Sequence, residues 1–143
     1  MELNTYLSFD GNCAAAFKFY ERVLGGKILM TMTYGDMPGC PDMPADSKAK
    51  IAHVRLQLGD KLLMGSDSPP GRFAKPSGFH VNISVTDPAQ ADRLFAALSE
   101  NGNVTMPIQE TFWAARFGML VDQFGTPWMV NCEKTAAKSA TAA

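Results

Sequence analysis

The sequence has only three cysteines, Cys13, Cys40 and Cys132, an odd number at wide spacing with no CxxC pair. That pattern excludes a disulfide framework and a cysteine zinc site, and the three read as reduced thiols. An excess of either charge is also missing: thirteen basic residues face fourteen acidic ones, leaving a formal net charge of −1. No Lys/Arg run is available to track a phosphate backbone or an anionic bilayer, so neither nucleic acid nor membrane is an expected partner. No stretch approaches the ~18 consecutive apolar residues of a membrane span. Met1-Glu2-Leu3-Asn4 shows no basic segment leading into an apolar one, and a cytoplasmic location is expected. The motif searches are negative for GxGxxG after a strand, P-loop, GxSxG and HExxH.

What is present is one domain's worth of chain: 143 residues, 46% hydrophobic and 19% charged, a composition that packs a core. Leu3 to Phe9 alternate, with Asn4, Tyr6 and Ser8 on one face and Leu3, Thr5, Leu7 and Phe9 on the other, the period of a half-buried strand. Asn12 is the expected N-cap of a helix whose stripe is Ala16, Phe17, Tyr20 and Leu24 and whose end is Gly25-Gly26. A second strand runs from Lys27 to Tyr34. Residues Gly35 to Lys48, rich in Pro, Gly, Asp and Met, have no period and read as a long flap. Ile51 to Leu58 and Lys61 to Ser66 are two more strands joined by a Gly59-Asp60 hairpin turn.

A connector, Asp67 to Ser77, carries three prolines and a glycine, and the plan then repeats. His80, Asn82 and Ser84 share one face of a fifth strand. Asp87 caps a helix with Pro88 at its first position and Ala91, Leu94, Phe95 and Leu98 on its stripe, closed by Asn101-Gly102. Asn103 to Glu110, Trp113 to Val121 and Pro127 to Cys132 supply three further strands. The expected organisation is a single domain, residues 1–133, with one βαβββ module over about 1–68 and another over about 78–133, and a disordered Ala/Ser/Thr tail at 134–143. Neither module covers a sheet face alone, so the two are expected to pair.

The order of elements, with Phe17-x-Phe19-Tyr20-x-x-Val23-Leu24-Gly25-Gly26 on the first helix and Asp122-x-Phe124-Gly125-x-x-Trp128 before the last strand, resembles the vicinal oxygen chelate superfamily of glyoxalases, bleomycin-resistance proteins and dioxygenases. Tyr6-Leu7-Ser8-Phe9-Asp10-Gly11-Asn12, Ser66-Asp67 and Trp128-Met129-Val130-Asn131-Cys132 look like its PhnB-like subgroup. The resemblance implies an α+β fold in which the two modules form curved mixed sheets around a cleft with helices outside, a small-molecule ligand, and a homodimer. The methyltransferase label attached to that subgroup finds no S-adenosylmethionine-type glycine loop in this chain.

Enzymes of the superfamily hold a divalent metal through four side chains, on the first and last strand of each half. At those positions this chain offers Asn4, Met64 or a neighbour, His80 and Met129, with Asn131 and Glu133 further along the last face. One match in four is too few nitrogen and oxygen donors to offset a cation's lost hydration, so no tight metal is expected, and a weak divalent site is the alternative. The candidate ligand residues are His80, His53, Arg55, Tyr6, Met30, Tyr34, Asn82, Trp113 and Arg116, with Met32 and Met119 as further lining. Either arginine is suited to an anionic oxygen, and the sulfur and aromatic side chains to a flat or aromatic body. Ordinary salt bridges to Glu110 or Asp122 and plain core packing are the competing roles. Glu110 and Glu133 are the carboxylates available as a base, and Cys40 in the flap has no partner base at fixed spacing. Three readings remain open: a metal-free binder of a small, partly aromatic or oxygenated metabolite, a metal-dependent lyase, isomerase or dioxygenase, and a non-catalytic antibiotic-sequestering protein.

Overall fold

The computed structural model describes residues 1–39 and 43–134, and the chain divides between Lys75 and Pro76 into two compact units. The first contains β1 (Thr5–Phe9), α1 (Cys13–Leu24), β2 (Lys27–Thr33), α2 (Ala45–Lys48), β3 (Ile51–Leu58) and β4 (Lys61–Asp67). Its sheet has the order β1-β4-β3-β2, with β1 parallel to β4 and the other pairs antiparallel. The second contains β5 (Val81–Val85), α3 (Pro88–Ser99), β6 (Asn103–Gln109), β7 (Ala114–Val121) and β8 (Pro127–Glu133). Its order, β5-β8-β7-β6 with β5 parallel to β8, repeats the first. The α+β class and the repeated βαβββ plan expected from the sequence are both present.

Each of the two long helices, α1 and α3, covers one face of its own sheet. On α1, Ala16, Phe17, Phe19 and Tyr20 are buried, and the rings of Phe9, Phe17 and Tyr20 meet edge-on or tilted at centroid distances of 5.5–6.5 Å. Fully burying a side chain of this size stabilises the fold by about 1.5–3 kcal/mol. Phe17 can lie this close because position 65 is glycine: a Cβ there would stand 2.6 Å from the Phe17 ring. The helix ends as expected at Gly25, whose φ of 77° is left-handed and whose N–H donates to Glu21 O at 3.2 Å. In the second unit, Asp87 accepts from Ala89 N at 3.1 Å, Pro88 opens α3, and Ala91, Leu94, Phe95 and Leu98 are buried.

Several local expectations are corrected. Asn12 occupies the N-cap position of α1 but its side chain makes no capping bond; Asp67 at the end of β4 supplies the acceptor, taking Cys13 N on Oδ1 at 3.0 Å. The flap is not wholly irregular. Thr33 N donates to Asp36 Oδ2 at 3.0 Å in a capping box that ends β2 and winds Tyr34–Asp36 into a 3-10 turn, and α2 follows at Ala45–Lys48. The Thr33 N–H first, and the Thr33 hydroxyl second, hold the Asp36 carboxyl below its ordinary value. Trp113 precedes β7 instead of opening it, because Thr111 and Ala114 close a turn: Thr111 N donates to Ala114 O, and Ala114 N donates to Thr111 Oγ1, both at 3.0 Å. Cys40 and the tail from residue 135 lie outside the described residues.

Two buried aspartates organise the strand ends. Asp67 also takes Ile51 N on Oδ2 at 2.8 Å, tying α1, β3 and β4 together. Asp122 takes Phe124 N and Thr126 N on Oδ1 at 2.8 and 3.0 Å, and the indole N–H of Trp128 on Oδ2 at 2.8 Å.

Asp67 bears on Cys13 as well. That thiol has 0% exposure, and burial first, the Asp67 charge second, pushes it far above its ordinary value of 9.0. The folded chain then holds the proton more tightly than the unfolded one, so this stability is complete below pH 9.0 and is lost as pH rises above it. Peptide mass spectrometry after iodoacetamide should find Cys13 unmodified in the folded protein and alkylated in urea. The urea midpoint should fall with alkaline pH more in the wild type than in Cys13→Ala. Alkylation of Cys13 in the native state would contradict its burial.

Candidate functional site

The sheet faces turned away from α1 and α3 carry the polar and sulfur-bearing residues. In the first sheet the register sets Tyr6 beside Met64, Met64 beside Arg55 and Arg55 beside Met30, a single row across all four strands. The alternation of β1 explains the direction: Leu7 and Phe9 are buried under α1, which leaves Tyr6 and Ser8 on the other side. His53 pairs with Met32 in the neighbouring row. The rings of Tyr6 and His53 stack with centroids 5.7 Å apart and planes 16° from parallel, and in the Nε2–H tautomer the Tyr6 hydroxyl donates to His53 Nδ1 at 3.2 Å. Arg55 is half-buried, and among the described residues no ion pair or hydrogen bond engages its guanidinium. Four of the sequence candidates, Tyr6, Met30, His53 and Arg55, therefore share this surface.

Tyr34 does not join them. Its hydroxyl donates to Asp67 O at 2.6 Å, and its ring lines a cavity of about 260 Å³ at the strand ends of the same unit, with Asp10, Lys50, Ser68 and Pro69. Lys50 is held there by Gly11 O, to which its ammonium donates at 3.1 Å. Sequence reasoning missed this cavity. The signal was the flap, whose described residues Met43, Asp46 and Ser47 form part of the wall.

In the second sheet, Asn82 pairs with Met129, Ser84 with Asn131, and Asn131 with Phe117, all on the face opposite the buried Trp128, Val130 and Cys132. Asn82 Nδ2 donates to Ser84 Oγ at 3.0 Å. Trp113 is 50% exposed and packs edge-on against both Phe112 and Phe117, at 4.8 and 5.5 Å. His80 is exposed just ahead of β5. Arg116 lies on the helix side of β7, in register with buried Cys132, and its Nε donates to Asp92 Oδ1 of α3 at 3.1 Å. The salt bridge that competed for this arginine thus exists, with Asp92 in place of Glu110 or Asp122. Glu110 follows β6 and Glu133 closes β8, both exposed.

The residues at the superfamily's metal positions do not fit a tight hard-cation site. Met64 and Met129 present thioethers, Asn4 an exposed amide, and His80 a single imidazole. Among the described residues no three His, Cys, Asp or Glu side chains gather. No helix among them is long and apolar enough to cross a membrane.

Two mixed four-stranded sheets, each backed by one long helix and each closing its last strand against its first, define a glyoxalase-type fold. The chain belongs to the glyoxalase/bleomycin resistance protein/dioxygenase superfamily, whose family description matches residues 2–130. It is 37% identical over 142 residues to protein YjdN of Escherichia coli K12, covering 94% of this chain and 97% of that one. Among solved structures it is similar to protein PA1353 of Pseudomonas aeruginosa, with a TM-score of 0.86 and 45% identity over 94% of this chain and 99% of that one. It also shares its fold with a Bacillus cereus PhnB protein described as a putative 3-demethylubiquinone-9 3-methyltransferase, with a TM-score of 0.76 and 22% identity over 92% of this chain and 99% of that one.

Proposed function

We propose that this is a PhnB-like, cytoplasmic, homodimeric protein that binds a small, partly aromatic or oxygenated metabolite on its open sheet faces without a tight metal. The observation that carries the reading is the row Tyr6–Met64–Arg55–Met30 with His53 stacked on Tyr6. A guanidinium with no partner among the described residues is set between two thioethers. An anionic oxygen on a ligand would meet the guanidinium fork, while its ring would lie against methionine sulfur and the Tyr6–His53 pair. This donor set binds and orients; it supplies no Lewis acid.

Benzoate, a flat ring with one carboxylate, is the probe. Titrated into labelled protein, it should shift the amide resonances of β1 and β3 around Tyr6, His53 and Arg55. Arg55→Ala should weaken it roughly tenfold or more, the scale of one hydrogen bond to a charged group. Absence of any shift on β1 and β3 at millimolar benzoate, or unchanged affinity in Arg55→Ala, would sink the reading. A monomer mass by gel filtration would remove the homodimer from it.

A further inference from the structure

We propose that the cavity at the strand ends of the first unit is a separate binding site, and that it takes a small zwitterion, an α-amino acid with an apolar side chain. The carrying observation is a set of opposite charges that line one cavity without pairing to each other. Lys50, Asp10 and Asp46 all belong to its wall, yet among the described residues neither aspartate forms an ion pair with the lysine. The ammonium is anchored instead to Gly11 O, at 3.1 Å. Its other N–H groups remain for an anionic oxygen. Glycine at position 11 keeps that anchor in place: the backbone there is left-handed, with φ 91°, and a Cβ would stand 3.2 Å from Lys50 Nζ.

The walls are preformed. Tyr34 N donates to Lys50 O at 3.0 Å, Lys50 N to Ser47 O at 3.2 Å, and Ser68 N to Phe9 O at 2.8 Å. Backbone bonds thus tie the end of β2 to the start of β3, and the end of β4 to the end of β1. Groups already held in place lose less freedom when a ligand arrives. The volume of about 260 Å³ equals that of roughly nine waters at ~30 Å³ each, which is room for a ligand of about ten non-hydrogen atoms. Asp10, Asp46 and Lys50 are exposed, whereas Tyr34 and Met43 are half-buried. The Tyr34 hydroxyl is engaged by Asp67 O, so its ring is what the cavity meets. The charged end of a ligand therefore sits at the mouth and its apolar end against the ring and the thioether. A carboxylate alone would gain Lys50 but face two aspartates, and an amine alone would gain the aspartates but face Lys50. A molecule that carries both signs is favoured by all three. This cavity lies at the end of the sheet, away from the row of Tyr6, Met64, Arg55 and Met30, so the inference goes beyond the proposed function and does not rest on it.

The probes are L-leucine; 4-methylpentanoate, the same skeleton without the ammonium; and 3-methylbutylamine, the same skeleton without the carboxylate. Titrated into labelled protein, leucine should shift the backbone amides of Gly11, Ser47, Lys50 and Ser68. It should bind roughly fivefold more tightly than either relative, the scale of one exposed ion pair. In Lys50→Met, leucine should bind no more tightly than 3-methylbutylamine. In the double variant Asp10→Asn/Asp46→Asn it should bind no more tightly than 4-methylpentanoate. All three side chains are exposed, so both variants should melt with the wild type. Four outcomes would each overturn the proposal: no shift at those amides from leucine at millimolar concentration, a single-charge relative that binds wild type as tightly as leucine does, undiminished leucine affinity in Lys50→Met, or undiminished affinity in the double variant. Benzoate is read from the resonances of Tyr6, His53 and Arg55. Its failure with leucine discrimination intact would remove the first reading alone, and the converse would remove this one alone.

Discussion

Asp122→Ala is expected to lower the unfolding free energy by about 4 kcal/mol, from the loss of three hydrogen bonds to a charged acceptor at roughly 1.5–3 kcal/mol each, less some relaxation. The aspartate is 4% exposed, and the N–H groups of Phe124 and Thr126 and the indole of Trp128 all converge on it. Against a total stability of about 5–15 kcal/mol for an ordinary domain, that loss leaves a marginal protein. Asp122→Asn separates the contributions. Its remaining oxygen can serve Phe124 and Thr126, but its NH2 would face the Trp128 N–H, so about half the loss should persist. Urea denaturation followed by Trp fluorescence and by circular dichroism measures both. A change below about 1 kcal/mol in Asp122→Ala would mean that the turn is held by something else.

Asp67→Ala should cost about 3 kcal/mol by the same physics. Two N–H groups lose their acceptor: Cys13, at the start of α1, and Ile51, at the start of β3. The helix end also loses a negative charge placed where its dipole favours one, which is why the effect should exceed that of an ordinary cap. Asn12→Ala, at the N-cap position itself, should by contrast change stability by less than about 0.5 kcal/mol, because its side chain makes no capping bond. If Asn12→Ala proved the more damaging of the two, the assignment of the cap to Asp67 would fail.

The contrast between these two residues shows what a sequence reading reaches. Periodicity placed β3 at its observed ends, Ile51 and Leu58, because the alternation is clean and Gly59-Asp60 interrupts it sharply. Asp87 and Pro88 were legible as a helix start because cap and helix are adjacent in the chain. Asp67 was not legible as the cap of α1, since its partner is 54 positions away and no local pattern links them. Arg116 illustrates the same limit. Its competing salt bridge was sought at Glu110 and Asp122, whereas Asp92 reaches it from α3, 24 positions back, once β7 turns that side chain toward the helix. The row of Tyr6, Met30 and Arg55 could be proposed as a shared face from alternation on three separate strands, but the register that aligns them belongs to the sheet.

The parallel pairing of β1 with β4 has a kinetic side. Hairpins such as β3–β4 close over a two-residue turn, whereas Thr5 must find Leu63 across nearly the whole first unit, and Val81 must find Trp128 across most of the second. Loop-closure entropy delays such pairings, so β1 and β5 are the strands expected to dock late in folding and to detach early in partial opening. Tyr6 rides on β1, and Asn82 and Ser84 ride on β5. A ligand that clasps either face therefore also latches the strand most prone to leave, and its occupancy would be written into amide-exchange rates along β1 and β5 before it showed in the melting of the whole chain.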